Sequence, residues 1–246
     1  MRPLLTALGL IAAWEALVWL TGVPRYILPA PSRVAVVLVE RFDLLIEQAA
    51  WTATEMILGL ALGLALGASL AVVFAASAGW RRWVLPLVIV SQAIPVIAVA
   101  PLLVLWLGYG MASKVAMAAL VIFFPVVSSL YDGLRRTDPG WIELAQTMNA
   151  PPRAVLLQIR LPAALPAFAS GARIAAAVAP IGAVIGEWVG ASAGLGFLMT
   201  QSLARGQTPL AFAALVILCL LGLALYTATD RLARRLVPWQ SFQGEQ

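Results

Sequence analysis

The sequence predicts an all-α polytopic membrane protein. Hydrophobic residues make up 62% of the 246 residues, charged residues only 11%, and the mean hydropathy is +0.95. Soluble domains are about half apolar and about a quarter charged. The apolar residues also occur in runs that are too long and too numerous for one aqueous core. We therefore expect a single transmembrane domain that covers residues 1–246.

Six segments are long and apolar enough to cross a bilayer, since a span needs about 20 largely apolar residues. The third contains three prolines, which predict a kink or an unwound stretch that faces protein. In the second, Gly59, Gly63 and Gly67 form a stripe of small residues that predicts close helix packing. The outer loop at 22–53 is predicted to carry an amphipathic surface helix. The six predicted spans are approximately 4–21, 54–78, 84–107, 114–131, 166–189 and 209–229.

The basic residues indicate which side of the membrane each loop occupies. If the N-terminus is cytoplasmic, ten of them fall on cytoplasmic segments and five fall outside, in agreement with the positive-inside rule. We therefore expect both termini to be cytoplasmic. The cytoplasmic group is Arg2, Arg81, Arg82, Arg135, Arg136, Arg153, Arg160, Arg231, Arg234 and Arg235, and the outer group is Arg25, Arg33, Arg41, Lys114 and Arg205.

Several kinds of functional site lack the residues that they would need. The chain has no histidine, and its only cysteine, Cys219, lies in an apolar run, so disulfides, His-based metal sites and Cys-His catalysis are not expected. The phosphate-binding pattern G-x-x-x-x-G-K-[ST] is missing. The net charge of +5 is explained by orientation, because no basic and aromatic face suggests nucleic-acid binding. We expect no catalytic residue, no metal, no cofactor and no nucleic acid.

A polar stretch at about residues 132–165 carries the clearest local pattern. Asp138 and Pro139 offer an N-cap and a first-turn proline, so a short helix is predicted over GWIELAQTM. Asn149 suits the left-handed conformation that ends a helix. The proline pair that follows prevents continuation and favours a second helix over RAVLLQIRL. We predict two short helices that meet at a sharp elbow.

This stretch resembles the EAA loop of permeases in ATP-binding-cassette (ABC) importers, whose pattern is E-A-A, three residues, G, nine residues, I-x-L-P. The chain keeps both gaps, with leucine for one alanine and asparagine for the glycine. The resemblance implies a type I ABC importer permease fold, in which the loop is a coupling helix seated in a groove of the cytoplasmic ATPase. The alternative is a surface helix on the lipid headgroups. The matching residues are Glu143, Leu144, Ala145, Asn149, Ile159, Leu161 and Pro162.

The resemblance extends along much of the chain. YILPAPSRV, SQAIPVIAVAPLLVLWLGYG and GEWVGASAGLGFLM look like permeases for sulfonates, taurine, nitrate and pyrimidine or riboflavin-type vitamin precursors. The stretch from WLGYG to RTDPG is most similar to proposed permeases for the hydroxymethylpyrimidine precursor of thiamine. The resemblance implies a non-catalytic subunit of a bacterial inner membrane that imports a small polar solute by alternating access. The implied partners are ABC ATPase subunits, a periplasmic binding protein and a second copy of the chain.

Polar residues within spans are costly in lipid and therefore mark candidate positions on a translocation pathway. Gln92 and Glu187 are expected to face the pathway or its gate, because the resemblance implies that their spans line it. Glu187 has no obvious packing role in the sequence, and a carboxylate wetted at the outer membrane face is the open alternative. Glu15 and Glu55 are better explained as packing or interfacial groups. The other candidates are Ser91, Pro95, Trp188, Gly194 and Gly196, whose glycines permit a gate-like turn or an ordinary loop.

Two other kinds of membrane protein compete with the importer permease. A self-sufficient secondary transporter or channel would call for repeated halves, coupling-ion sites at broken helices or a ring of charges, and the sequence offers only a broken third span. An intramembrane enzyme would need a catalytic dyad or paired carboxylates on one helix face, which the sequence pattern does not suggest.

Overall fold

The computed structural model describes residues 2–24 and 26–239, and within these ranges every regular element is helical. Met1, Arg25 and residues 240–246, which the predictions above include, lie outside the described residues. A π-helical segment, Val155–Arg160, joins α8 to α9. In chain order the helices are α1 (Arg2–Thr21), α2 (Pro31–Glu40), α3 (Phe42–Ala76), α4 (Ala78–Ser91), α5 (Val96–Leu107), α6 (Met111–Arg135), α7 (Pro139–Thr147), α8 (Pro152–Ala154), α9 (Leu161–Trp188), α10 (Leu195–Ala204) and α11 (Thr208–Leu236).

In the described part of the chain, four helical segments are each long and apolar enough to cross a membrane: α3, α6, α11 and the run from Pro152 to Trp188. Helices α4 and α5 reach that length only together, and the pair is bent by 104°. Pro95, which cannot donate a backbone hydrogen bond, lies at the bend. The predicted kink in the third span is confirmed. Because α1 adds only a shorter apolar stretch, Leu8–Thr21, the count of six spans stays a prediction.

The second predicted span starts earlier than the sequence suggests. Helix α3 begins at Phe42, whereas the apolar pattern predicts a start near residue 54. Leu45, Ala49 and Thr52 are buried along one face of this extension, so packing on protein supports the helix before the continuous apolar run begins. The outer loop keeps only α2 as a separate helix. As a further consequence, Glu55 lies well inside α3, whereas the predicted span would place it in the first turn of the helix.

The centre of the molecule is a close contact of α6 with both α3 and α9. A Cβ added at Gly63 of α3 would lie 2.5 Å from Cγ2 of Ile122, and one at Gly182 of α9 would lie 2.6 Å from Cα of Ala118. These distances leave no room for a side chain, so the helix backbones approach as they do in small-xxx-small pairs. The close packing predicted from the glycine stripe is confirmed.

Candidate functional site

The elbow predicted in the polar stretch lies between α7 and α8. Asp138 caps α7, since its side chain accepts a hydrogen bond from the backbone N–H of Gly140 at 2.7 Å. The second predicted short helix is not a separate element, because RAVLLQIRL continues through the π-helical segment into α9. The wide π turn comes just before Pro162, whose ring would crowd the carbonyl of an ordinary helical turn. One helical segment therefore extends from the elbow into the membrane domain.

The end of α7 has the geometry of a Schellman motif. The backbone N–H of Asn149 donates to the carbonyl of Gln146, and that of Ala150 donates to the carbonyl of Ala145, both at 2.9 Å. Asn149 has a φ of 54° and is the one non-glycine residue with positive φ among residues 2–24 and 26–239. The predicted left-handed conformation at this position is confirmed.

The far side of the elbow is attached to α6 by Arg160. Its guanidinium donates two hydrogen bonds to the carbonyl of Leu134, from Nε at 3.1 Å and from Nη2 at 2.9 Å. A cation at the carboxyl end of a helix is favourable because the last carbonyls of α6 lack partners within the helix. The elbow therefore has a defined position against α6.

An apolar face of α7 is left uncovered. Trp141, Leu144 and Met148 are 56%, 62% and 75% exposed and lie at helical spacing. They form one wall of a cleft of about 450 Å³. Its opposite wall is the start of α9 with the π-helical segment before it. The full lining is Trp141, Leu144, Ala145, Met148, Gln158, Ile159, Pro162, Ala163 and Trp239.

The cleft contains only part of the predicted coupling set. Leu144, Ala145, Ile159 and Pro162 line it together. Glu143 is exposed beside it, Asn149 shapes the elbow, and Leu161 lines a different cleft with Leu130 and Phe168. The sequence pattern missed Gln158, Trp141 and Trp239. Trp141 could have been found from its spacing of three residues before Leu144, whereas Trp239 reaches the cleft only through the fold.

A second constellation surrounds the amino end of α10. The first residue before this helix, Gly194, has a φ of 112° and offers no side chain as a cap. Helix α3 supplies the missing acceptors: Gln48 Oε1 accepts from the N–H of Gly194 at 2.7 Å, and Thr52 Oγ1 accepts from the N–H of Leu195 at 2.8 Å. Two of the unpaired amides of α10 are therefore satisfied by a helix more than 140 positions earlier in the chain.

Glu187 of α9 caps the next two amides of α10. Its Oε2 accepts from the N–H of Gly196 and from the N–H of Phe197, the latter at 3.3 Å. Its Oε1 accepts from the hydroxyl of Thr52 at 2.6 Å. A carboxylate at a helix amino terminus is favoured both by these donors and by the helix dipole. We call Gln48, Thr52 and Glu187 the α10 cap.

The α10 cap corrects two expectations for Glu187. Its side chain is only 1% exposed, so the interpretation as a carboxylate wetted at the membrane face is wrong. It also has a packing role that the sequence does not indicate, since it joins α3, α9 and α10. Gly194 and Gly196 fit closely around the carboxylate, which leaves no space for a Cβ at either position. A role for Glu187 in the pathway or gate stays a proposal.

The remaining pathway candidates lie elsewhere. Ser91 and Gln92 are exposed at the bend between α4 and α5, where the side-chain amide of Gln92 donates to Ser91 Oγ at 3.3 Å. Trp188 is about half exposed, at 48%. Glu15 accepts hydrogen bonds from the N–H and hydroxyl of Ser32 at 2.9 and 2.8 Å, which join α1 to α2 and agree with its interpretation as a packing or interfacial group.

In the described ranges, no three His, Cys, Asp or Glu residues come together to hold a metal ion. The polar groups of the α10 cap instead accept hydrogen bonds from the backbone amides of residues 194–197. The arrangement is therefore suited to holding helices in register, while the cleft at the elbow is suited to contact with another protein.

Comparison with protein families and curated proteins gives a consistent result. Residues 57–241 match the family described as "Binding-protein-dependent transport system inner membrane component". A "Probable ABC transporter permease protein" of Haemophilus influenzae is 49% identical over 237 residues, which cover 96% of this chain and 97% of that protein. The "Formylaminopyrimidine transport permease protein ThiX" of Halalkalibacterium halodurans is 38% identical over 244 residues, covering 99% and 97% of the two chains.

A solved structure also matches the fold. A chain from "Inward facing conformations of the MetNI methionine ABC transporter" superposes with a TM-score of 0.70 at 22% identity, covering 80% of this chain and 98% of that one. At this identity the similarity concerns the fold alone. It confirms the all-α architecture predicted for the chain.

Proposed function

The chain belongs to the family of binding-protein-dependent transport system inner membrane components and is an ABC importer permease, and from this premise we propose its substrate, partners and mechanism. It carries a small pyrimidine related to vitamin precursors from the periplasm to the cytoplasm. Two copies of the chain form the pathway in a bacterial inner membrane. A periplasmic binding protein delivers the solute, and separate cytoplasmic subunits bind and hydrolyse ATP.

The uncovered apolar cleft at the elbow carries this proposal. A helix that lies on lipid headgroups needs only a continuous apolar face, whereas this cleft is concave and is built from two elements. A concave apolar surface accepts side chains of a protein partner. Glu143 is exposed beside the cleft and is available for a charged contact. These features support docking of an ATPase subunit at the elbow.

Movement of the ATPase reaches the membrane domain through the helical run from Pro152 to Trp188. This run has 37 residues, and at about 1.5 Å per residue it is about 55 Å long. It is longer than the hydrocarbon core of about 30 Å, so it extends well past the bilayer. Its first residues form the elbow, and its last turn carries Glu187. Displacement of the elbow therefore tilts the helix that holds the α10 cap, and the bundle alternates between inward-open and outward-open packing.

The similarity to the formylaminopyrimidine permease supports a pyrimidine as the substrate, because it extends over almost the whole of both chains. The candidates are formylaminopyrimidine and hydroxymethylpyrimidine. Sulfonates, taurine and nitrate are the alternatives that the sequence resemblance leaves open.

Reconstitution tests this function. The purified chain should co-purify with its ATPase subunit and, in proteoliposomes with ATP and the binding protein, should accumulate labelled hydroxymethylpyrimidine or formylaminopyrimidine. Unlabelled taurine, nitrate and an alkanesulfonate serve as competitors. Accumulation of a sulfonate, taurine or nitrate in place of the pyrimidines would contradict the substrate proposal. Solute accumulation without the ATPase would contradict the importer mechanism itself.

The proposed orientation makes a separate prediction. In a Cys219→Ser background, an impermeant thiol reagent added from the periplasmic side should label Gln207→Cys and leave Gln158→Cys unlabelled. Both positions are exposed in the chain without its ATPase subunit, so in membranes that lack this subunit a difference between them reports sidedness and not burial. Labelling of Gln158→Cys from outside would contradict a cytoplasmic elbow. Labelling of both variants after the membrane is made permeable is the control.

A further inference from the structure

The segment that follows α11 is held against α9 by a buried valine. Helix α11 ends at Leu236, and the next residue, Val237, is completely buried. Val237 packs in one apolar cluster with Ala169 of α9 and Ala233 of α11. Two positions further along, Trp239 lines the elbow cleft and is 63% exposed. The buried valine therefore fixes the chain beside the cleft and leaves most of the Trp239 surface accessible.

Helices α9 and α11 are also joined further along their length. Nε of Arg173 on α9 donates to Oδ1 of Asp230 on α11 at 2.6 Å. Beyond this ion pair, a Cβ added at Gly222 of α11 would lie 2.9 Å from Cγ of Pro180 on α9, so the helices are in close contact there as well. The cleft walls formed by α9 and by Trp239 therefore belong to one packed unit. A surface that is formed in advance costs less ordering entropy when a partner binds.

The cleft contains two tryptophans from distant parts of the chain, Trp141 of α7 and Trp239. Tryptophan is enriched among the residues that carry most of the binding energy at protein interfaces, because its large apolar ring has few rotatable bonds to order. Both side chains are more than half exposed, so the core does not use most of their surface. A protein that covers the cleft would bury both rings.

The other residues of the cleft indicate which partner covers it. Four residues of the coupling pattern line the same cleft as Trp239, namely Leu144, Ala145, Ile159 and Pro162. A subunit that seats an apolar surface on these residues therefore also contacts Trp239. A lipid surface needs only one continuous apolar helix face, whereas this cleft is built from α7, the start of α9 and the segment after α11.

We propose that Trp239 is a docking residue for the cytoplasmic ATPase subunit and that Val237 positions it. The segment after α11 thereby forms a third wall of the docking surface, beside α7 and the start of α9. This inference rests on the proposed docking of the ATPase at the elbow, and it adds a contact that the coupling pattern does not include. Movement of the ATPase then reaches the bundle through two joined helices, α9 and α11.

The affinity of the ATPase subunit for the purified chain in lipid nanodiscs tests the docking role. Trp239→Ala should weaken binding about tenfold or more. Its unfolding temperature should stay close to that of the wild-type protein, because the side chain is mostly exposed. Trp83→Ala is the matched control and should bind normally, since Trp83 is 77% exposed on α4 and does not line the cleft.

Trp141→Ala separates failure of this inference from failure of the proposed function. If Trp141→Ala weakens binding and Trp239→Ala does not, the role of Trp239 is wrong and docking at the elbow stands. If neither variant weakens binding, both the docking role of Trp239 and the docking of the ATPase at the elbow are wrong.

A double-mutant cycle tests the positioning role of Val237. This residue is buried and cannot contact the ATPase itself, so its truncation acts on binding only through Trp239. Val237→Ala should weaken binding in the wild-type background and have no further effect in Trp239→Ala. Val34→Ala truncates a buried valine of α2 and should leave the affinity unchanged. Equal losses from Val237→Ala in the two backgrounds would overturn the positioning role.

Photo-cross-linking identifies the occupant of the cleft. In the Cys219→Ser background, Trp239→Cys carrying a benzophenone group should give an adduct of the chain with the ATPase subunit in the reconstituted complex. Gln207→Cys with the same group is the control and should give no ATPase adduct, because this exposed residue lies on the opposite side in the proposed orientation. Adducts of Trp239→Cys with a second copy of the chain, or with lipid alone, would overturn the proposal.

Discussion

Valine at position 149 is expected to reduce ATP-driven transport strongly while the chain remains folded. Asn149 has a φ of 54°, and a β-branched residue resists this left-handed conformation. Relief of the strain breaks the two hydrogen bonds that end α7 and rotates its apolar face away from the cleft. Strain of about 1–2 kcal/mol lowers the population of chains with a correctly placed elbow by a factor of roughly 5 to 30. Solute uptake and binding-protein-stimulated ATP hydrolysis should fall accordingly.

Glycine at the same position is the matched control. Glycine adopts positive φ without a Cβ, so Asn149→Gly should keep ATPase binding, stimulated hydrolysis and uptake close to wild-type levels. Glu143→Arg adds an independent test, because it reverses a charge beside the cleft without changing the backbone. If Asn149→Val and Glu143→Arg both retain wild-type coupling, the elbow does not transmit ATP-driven movement.

Replacement of Gly182 by leucine is expected to prevent assembly of the membrane domain. A Cβ at this position would lie 2.6 Å from Cα of Ala118, which is a backbone atom and cannot move aside alone. Overpacking of a core costs about 1–3 kcal/mol for a small increase in volume, so alanine should already destabilise the chain. Leucine must separate α9 from α6 along the central contact. The amount of folded chain recovered in mild detergent and its unfolding temperature measure the effect.

Gly9 provides the comparison for Gly182. It also lies within an apolar helix, but a Cβ added there meets nothing within 4 Å. Gly9→Ala should leave the yield and unfolding temperature unchanged or slightly raised, as helix propensity favours alanine. If Gly182→Leu assembled as well as Gly9→Ala, the close approach of α6 and α9 would not be required for the fold.

Local patterns predicted much of the helical framework and the elbow. The glycine stripe of α3 was readable because it repeats at helical spacing, and the close contact with α6 follows from it. The left-handed Asn149 was readable because the conformations open to asparagine, and the prolines after it, are properties of neighbouring residues. The kink at Pro95 was also predictable from the local sequence, because a single proline is enough to interrupt a helix.

Contacts between distant parts of the chain were not predictable from the sequence. Glu187 and Thr52 are 135 positions apart, and nothing in either local sequence indicates the other. The early start of α3 depends on burial of Leu45 and Ala49 against other helices, which the amphipathic local pattern does not specify. Trp239 reaches the elbow cleft for the same kind of reason. These features depend on tertiary packing between distant segments, which the pattern of residues within one segment does not specify.

The cap of α10 also has a consequence for the order in which the chain folds. Helix α10 has ten residues, fewer than the 12–15 or so that an isolated helix needs to be even marginally stable in water, and it carries no cap of its own. Its acceptors come from α3, which leaves the ribosome long before it, and from α9, which leaves immediately before it. Helix α10 can become ordered only after those two helices have met. Protection of the amides of residues 194–197 from hydrogen exchange should therefore appear only after the buried amides of α3 and α9 have become protected.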